Sequence, residues 1–201
     1  MVSSIDVLDQ AANHPEMKQL RRCIFDYMAS EAFQPQIEVE TEALRKILVP
    51  NNPQSVLERL GARIIEVSAE TYSAPACNIL DSSPDTIWIS NKQYLEPFPP
   101  HFVVIDIGKI VNIAGVVYIP RQDTSGGRIR HYQIFLSTDL ESWGEPVAEG
   151  EWKDLGEPQH MIFDHPQKGR FLKIVANDEV HGWPYVSIAG IDIIPEDAVP
   201  E

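Results

Sequence analysis

The side chains best suited to chemistry stand at the edges of apolar runs. Arg121 closes the run Ile110–Ile119 and is followed by Gln122 and Asp123. A guanidinium there either forks onto a ligand hydroxyl or carboxylate, or is tied in an ion pair with Asp123 or Asp106. Around Gly126-Gly127, Arg128, Arg130 and His131 supply further cations, although a hairpin with alternating exposed charges gives the same pattern. The segment His181-Gly182-Trp183-Pro184-Tyr185 cannot continue a strand, so Trp183 is either a stacking platform or a plug at one end of a β scaffold. Tyr94 and Phe98 add two aromatic rings in the stretch 90–100. Apolar ring faces beside fixed donors are the chemistry of recognition.

Catalytic signatures are missing. The chain has no GxSxG, no glycine-rich phosphate loop, no HExxH and no Cys or His pair at metal-ligand spacing. Carboxylates are plentiful, but no pair is marked by spacing, and the expectation is a protein that is not an enzyme.

The elements that must position these residues change character along the chain. In residues 1–60, Met17, Leu20, Ile24, Tyr27 and Met28 recur at helical spacing, with Asn13 able to cap and Pro15 tolerated in the first turn, which predicts a helix from Pro15 to about Phe33. A second helix is expected over about Glu38–Leu48, and a short third over Pro53–Leu60, stopped by Gly61. The three would form a small bundle or dock against the rest of the chain. After Gly61 come short apolar runs punctuated by Pro, Gly, Asn and Asp. They predict strands over Ala62–Ser68, Ile87–Ile89, Phe102–Ile107, Ala114–Ile119, Arg130–Ser137, Val147–Trp152, His160–Phe163, Phe171–Ala176 and Ser187–Ile194. Their spacing leaves no room for crossover helices. The fold class is therefore all-β, a jelly-roll β-sandwich over residues 61–196, with a small α-helical N-terminal extension over 1–60.

Composition bounds the partners. The 201 residues carry 30 acidic and 16 basic side chains, a formal charge of -14, which argues against nucleic acid or an anionic bilayer as partner. A neutral ligand, a cation or another protein fits better. No run of about 18 apolar residues exists to span a bilayer, so no transmembrane segment is expected, and the N-terminus lacks the pattern of a secretion signal. Cys23 and Cys77 are too few for a disulfide framework and read as partly buried free thiols.

An ordered series of segments carries a family resemblance: Asn78–Trp88, Pro100–Gly108, Tyr118–Asp123, Gly127–Asp139 and Gly169–Val175. Together they resemble the discoidin domain, also called the coagulation-factor (F5/8) type C domain. Within it they are most similar to family 32 carbohydrate-binding modules of bacterial glycan-degrading proteins. The resemblance covers about residues 61–195. It implies a galactose-binding-like jelly roll, a ligand surface on loops at one end, a glycan or glycoconjugate as partner, and an extracytoplasmic setting. An alternative is a protein–protein interaction domain with a degenerate sugar site.

The resemblance also assigns residues. The loop Cys77–Thr86 is similar to the family's calcium loop, so Asp81 and Thr86 are the candidate ligands for Ca2+. Ser82 and Ser83 stand where the family has a turn glycine and a polar ligand, and Gly190 stands where a glutamate usually completes the shell. An Asx-type turn over a buried Trp88 is the other reading of the same residues. At the sugar surface Ile89 replaces the histidine that follows the motif tryptophan in galactose-binding relatives. The remaining candidates for ligand contact are Arg121, Trp183, His181, Tyr94, Phe98 and Arg128. Asp106 is expected to be structural, as are Trp143, Trp152, Tyr132 and Phe135.

Overall fold

The computed structural model describes residues 15–34, 55–90 and 98–198. The chain divides into two compact units, Met1–Asn51 and Asn52–Glu201. In the first, α1 (Pro15–Met28) opens with the expected proline, ends earlier than the periodicity predicts, and exposes Phe25 and Tyr27 to about half their area. Tyr27 meets Phe33 edge-to-face at 5.7 Å. The helix expected over about Glu38–Leu48 lies outside the described residues. Among the described residues no helix is long and apolar enough to cross a membrane.

The division at 51/52 puts the second short helix, α2 (Val56–Leu60), with the β domain, whereas the sequence reading placed the boundary at 60/61. Local chemistry explains its ends. The Ser55 hydroxyl oxygen accepts the Glu58 N–H, and Gly61 takes the left-handed conformation at φ 69° that terminates helices. Leu57, fully buried among the β-strand side chains, anchors the helix.

Among the described residues the β domain has seven strands: β1 (Arg63–Val67), β2 (Trp88–Ile89), β3 (His101–Pro120), β4 (His131–Ser137), β5 (Ala148–Glu151), β6 (Gln159–Ala176) and β7 (Ser187–Pro195). All pairings are antiparallel, in the order β2-β7-β3-β6-β4-β5, with β1 added to β3. The chain is thus the all-β jelly roll that its pattern predicts.

The long strands β3 and β6 join pieces that the sequence reading kept apart. Gly108, at φ 92°, gives its N–H to Asp106 Oδ1 at 2.9 Å, so Gly108-Lys109 bends one strand instead of ending it. The first half of β3 pairs with β1 and the end of β6, the second with β7 and the start of β6. Side chains from both halves meet in one core of Val103, Ile105, Ile107, Ile113, Val116, Tyr118, Leu172, Ile174 and Ile191. Trp152 lies between Tyr118 and Tyr132, with ring centroids at 4.1 and 3.9 Å, which makes all three structural. Cys23 and Cys77 are free, but both are exposed. For Cys77 the reason is local, because the 3-10 turn Ala76–Leu80 points its neighbours Ala76 and Ile79 inward.

Candidate functional site

The register of β3, β6 and β7 gathers loops at one end of the domain. Pro120 is paired with Ile188, and His101 with Ala176, so the chain leaving β3 at 121–130 lies beside the chain 177–186 that joins β6 to β7. Two buried links fasten them: the Ser187 N–H donates to the Gly127 carbonyl at 2.6 Å, and Ser187 Oγ donates to the Gly126 carbonyl at 3.0 Å.

Glu179 organises the surface from beneath. Its side chain is buried, with 2% of the residue exposed, and it accepts three backbone N–H groups, from Gly127 at 2.9 Å, His181 at 2.7 Å and Trp183 at 2.9 Å. A charged acceptor is costly to bury unless filled in this way. The sequence reading missed this residue. Its only trace there is an Asp178-Glu179 acid pair between a strand and a Gly/Pro loop.

Above Glu179 stands a row of rings. Trp183 is 38% exposed, 5.8 Å from His181 and 5.5 Å from Tyr185 between centroids, both tilted. Its six-membered ring passes so close to Gly126 that a Cβ there would sit 2.5 Å from it. The Ser125 hydroxyl is 2.9 Å from His181 Nε2. Trp183 is therefore a partly exposed plate braced by a glycine and two flanking rings.

Arg121 lies at the edge of this row. Its Nε and Nη2 donate to the two oxygens of Asp123, at 2.5 and 2.9 Å, and the pair raises the guanidinium pKa while lowering that of the carboxyl. Of the two ion pairs weighed from sequence, the one with Asp123 forms. Asp106 is spent elsewhere: Arg63 and Arg170 hold it from either side at 3.0–3.2 Å. Arg128 is 9% exposed. It donates to the Arg121 carbonyl through Nε and Nη2 and to Asp154 through Nη1 at 2.8 Å, so it braces the loop from behind instead of forming a rim.

His101 enters the same end from below. It is fully buried, with Nε2 2.9 Å from the Pro184 carbonyl and Nδ1 3.3 Å from Ser68 Oγ, and burial lowers its pKa. A carbonyl can only accept, so Nε2 carries the proton of the neutral ring. Phe98, 51% exposed, precedes the cis Pro99-Pro100 bond a few residues before His101. Tyr94 lies outside the described residues.

The loop expected to hold calcium has different geometry. Asp81 Oδ1 accepts the Ser83 N–H at 2.9 Å, and the Thr86 hydroxyl donates to the same carboxylate, 2.7 and 2.9 Å from its two oxygens. This is the Asx-type turn, and Trp88 is buried under it with its indole N–H donating to Ala69 O at 3.1 Å. Calcium takes six to eight oxygens and gains affinity from charged ones. Asp81 supplies one carboxylate, and Gly190 none. Asp192, which lines the same cavity of about 280 Å3 as Ser82, Ser83 and Gly190, is committed to the amides of Val56 and Leu57 at 2.9 and 3.0 Å. Among the described residues no group of three or more His, Cys, Asp or Glu could hold a metal ion. The residues present do not fit a calcium shell.

Comparison with known proteins agrees with the fold. A model of the F5/8 type C domain matches residues 64–191, and a model of a domain of unknown function matches residues 1–49. A galactose oxidase of Gibberella zeae is 34% identical over 124 residues, 60% of this chain and 18% of that protein. A sialidase of Micromonospora viridifaciens is 29% identical over 142 residues, 69% of this chain and 22% of that protein. The chain thus spans about a fifth of the length of these curated relatives. The family 32 carbohydrate-binding module of Clostridium perfringens NanJ in complex with galactose has the same fold, with a TM-score of 0.61 at 23% identity, covering 70% of this chain and 97% of that one.

Proposed function

The chain belongs to the F5/8 type C domain family through residues 64–191, and on that premise we propose that it is a non-catalytic module that binds a glycan on the loops 121–128 and 179–185. The observation that carries this reading is the Trp183 plate, exposed and flanked by His181 and Tyr185, with the Arg121–Asp123 pair on the adjoining loop. An indole face takes the C–H side of a pyranose, while the guanidinium and carboxylate offer fixed donors and acceptors to its hydroxyls.

The charges favour a neutral sugar. Arg121 is neutralised by Asp123 and Arg128 by Asp154, so an anionic glycan would meet a compensated arginine and an exposed carboxylate. The galactose in the similar clostridial module and the name of the galactose oxidase relative support a neutral sugar, and the sialidase relative supports a glycan more broadly. Ile89, where galactose-binding relatives have histidine, implies that the contacts differ in detail. One sugar unit on an open surface binds weakly, and clustered glycans bind more tightly through avidity.

A glycan array probed with the full chain tests this reading. Retention on neutral glycans, lost in Trp183→Ala and preserved in Trp143→Ala, is the expected result. Retention on no glycan, or on acidic glycans alone, contradicts it.

A further inference from the structure

The Ala76–Trp88 stretch is a long loop at the edge of the sheet, and it is ordered by contacts that converge from α2. The Ser55 N–H donates to Ser82 Oγ at 2.9 Å, and the Ser82 hydroxyl donates in turn to Glu58 Oε2 at 2.6 Å. Ser82 adopts φ 57°, a left-handed conformation that glycine takes at lower cost, yet only a side chain can make this relay. On the other side, Asp192 of β7 accepts the first N–H groups of α2, from Val56 and Leu57, with one oxygen each. Leu57 beneath them is fully buried.

We infer that the Ser55–Leu60 segment fixes this loop in the way that the family resemblance assigns to a divalent cation. Three residues make one exchange. Serine at 82 gives the loop a hydroxyl to hand to Glu58. Glycine at 190 removes the carboxylate that would have faced the loop. Asp192, two residues along the same strand, turns its charge to helix amides, where an anion is favoured by the unpaired N–H groups of the first turn. Glu58 and Asp192 are thereby satisfied by protein groups, as Glu70 is by the Ala76 N–H at 2.8 Å, and their charge is no longer available to a metal. The stable β domain consequently includes Ser55–Leu60, ahead of the family match at residue 64.

Thermal unfolding of the full chain, followed by near-ultraviolet circular dichroism, tests this in three buffers: about 5 mM CaCl2, about 5 mM MgCl2, and chelator, the calcium level exceeding the weakest sites of extracellular modules. The wild type is expected to give one Tm in all three. Asp192→Ala, which leaves two helix amides without their acceptor, is expected to lower Tm by roughly 4–10 °C in every buffer. Should that variant fail to fold, Glu58→Ala, which leaves the Asp192 contacts in place, gives a smaller drop. A Tm raised by calcium but not by magnesium, with the rise abolished in Asp81→Ala, overturns the inference. So does an Asp192→Ala or Glu58→Ala protein as stable as the wild type.

Discussion

The backbone N–H of Trp183 donates to Glu179 Oε2 at 2.9 Å, so the partly exposed ring proposed to meet the ligand hangs from a carboxylate that is itself buried. The other two amides on Glu179, from Gly127 and His181, belong to the two loops that flank the ring. One side chain thus fixes both the plate and its rim.

Glu179→Ala is expected to leave one buried and two partly buried N–H groups unpaired, at a cost of roughly 3 kcal/mol, or about 6–12 °C in Tm. Glycan retention should fall with it. Glu179→Gln keeps one acceptor oxygen and should lie between. Urea unfolding beside the array checks both arms, and a Glu179→Ala protein of unchanged stability would contradict the role.

Much of the scaffold was legible in the sequence because its signals are local. β-branched runs bounded by turn residues marked the strands, Gly61 marked a helix end, and Trp88 could be placed beneath its loop. The site was legible only in part. Trp183 and Arg121 stand out as candidates by type and by position next to strand ends. Glu179 does not, since its partners include Gly127, which is 52 residues away in sequence. Asp106 was rightly read as structural, but its partners Arg63 and Arg170 lie 43 and 64 residues off and share no pattern with it. Arg128 looked like a surface cation because sequence shows charge and not depth. The bend at Gly108 was read as a break, because a glycine inside a strand and one between strands look alike.

Gly127 has φ 87°, and a Cβ there would overlap Ser187 Oγ and come within 2.9 Å of the Ser187 backbone nitrogen. Gly127→Ala should therefore destabilise by roughly 2–4 kcal/mol, through backbone strain and the loss of the loop-to-β7 contact. Gly144, at φ 62° with open space around it, provides the control: Gly144→Ala carries the strain alone, about 1 kcal/mol. Equal losses at the two positions would show that the Ser187 contact is not decisive.

The pH dependence of stability should carry the mark of Asp106. Its hydrogen bonds with Arg170, then Gly108 and Arg63, lower its pKa from 3.8 to about 2 against the cost of burial. A carboxyl depressed in the folded state binds its proton more readily when unfolded, so its stabilisation is present above about pH 4 and is lost as pH falls toward 2. The contribution is at most about 2 kcal/mol, and less after solvent screening at the exposed arginines. Urea titrations across this range should show a shallower slope in Asp106→Asn than in the wild type. Identical slopes would remove the depressed pKa from the account.

The most direct test of the ligand surface is heteronuclear NMR of the full chain, titrated with a neutral glycan that the array retains. The account predicts that the Trp183 indole N–H and the backbone amides of residues 125–128 and 181–187 shift together and saturably, while the Trp88 and Trp152 indoles in the core stay fixed. Shifts confined to another face, or none in the 181–187 loop, would contradict it.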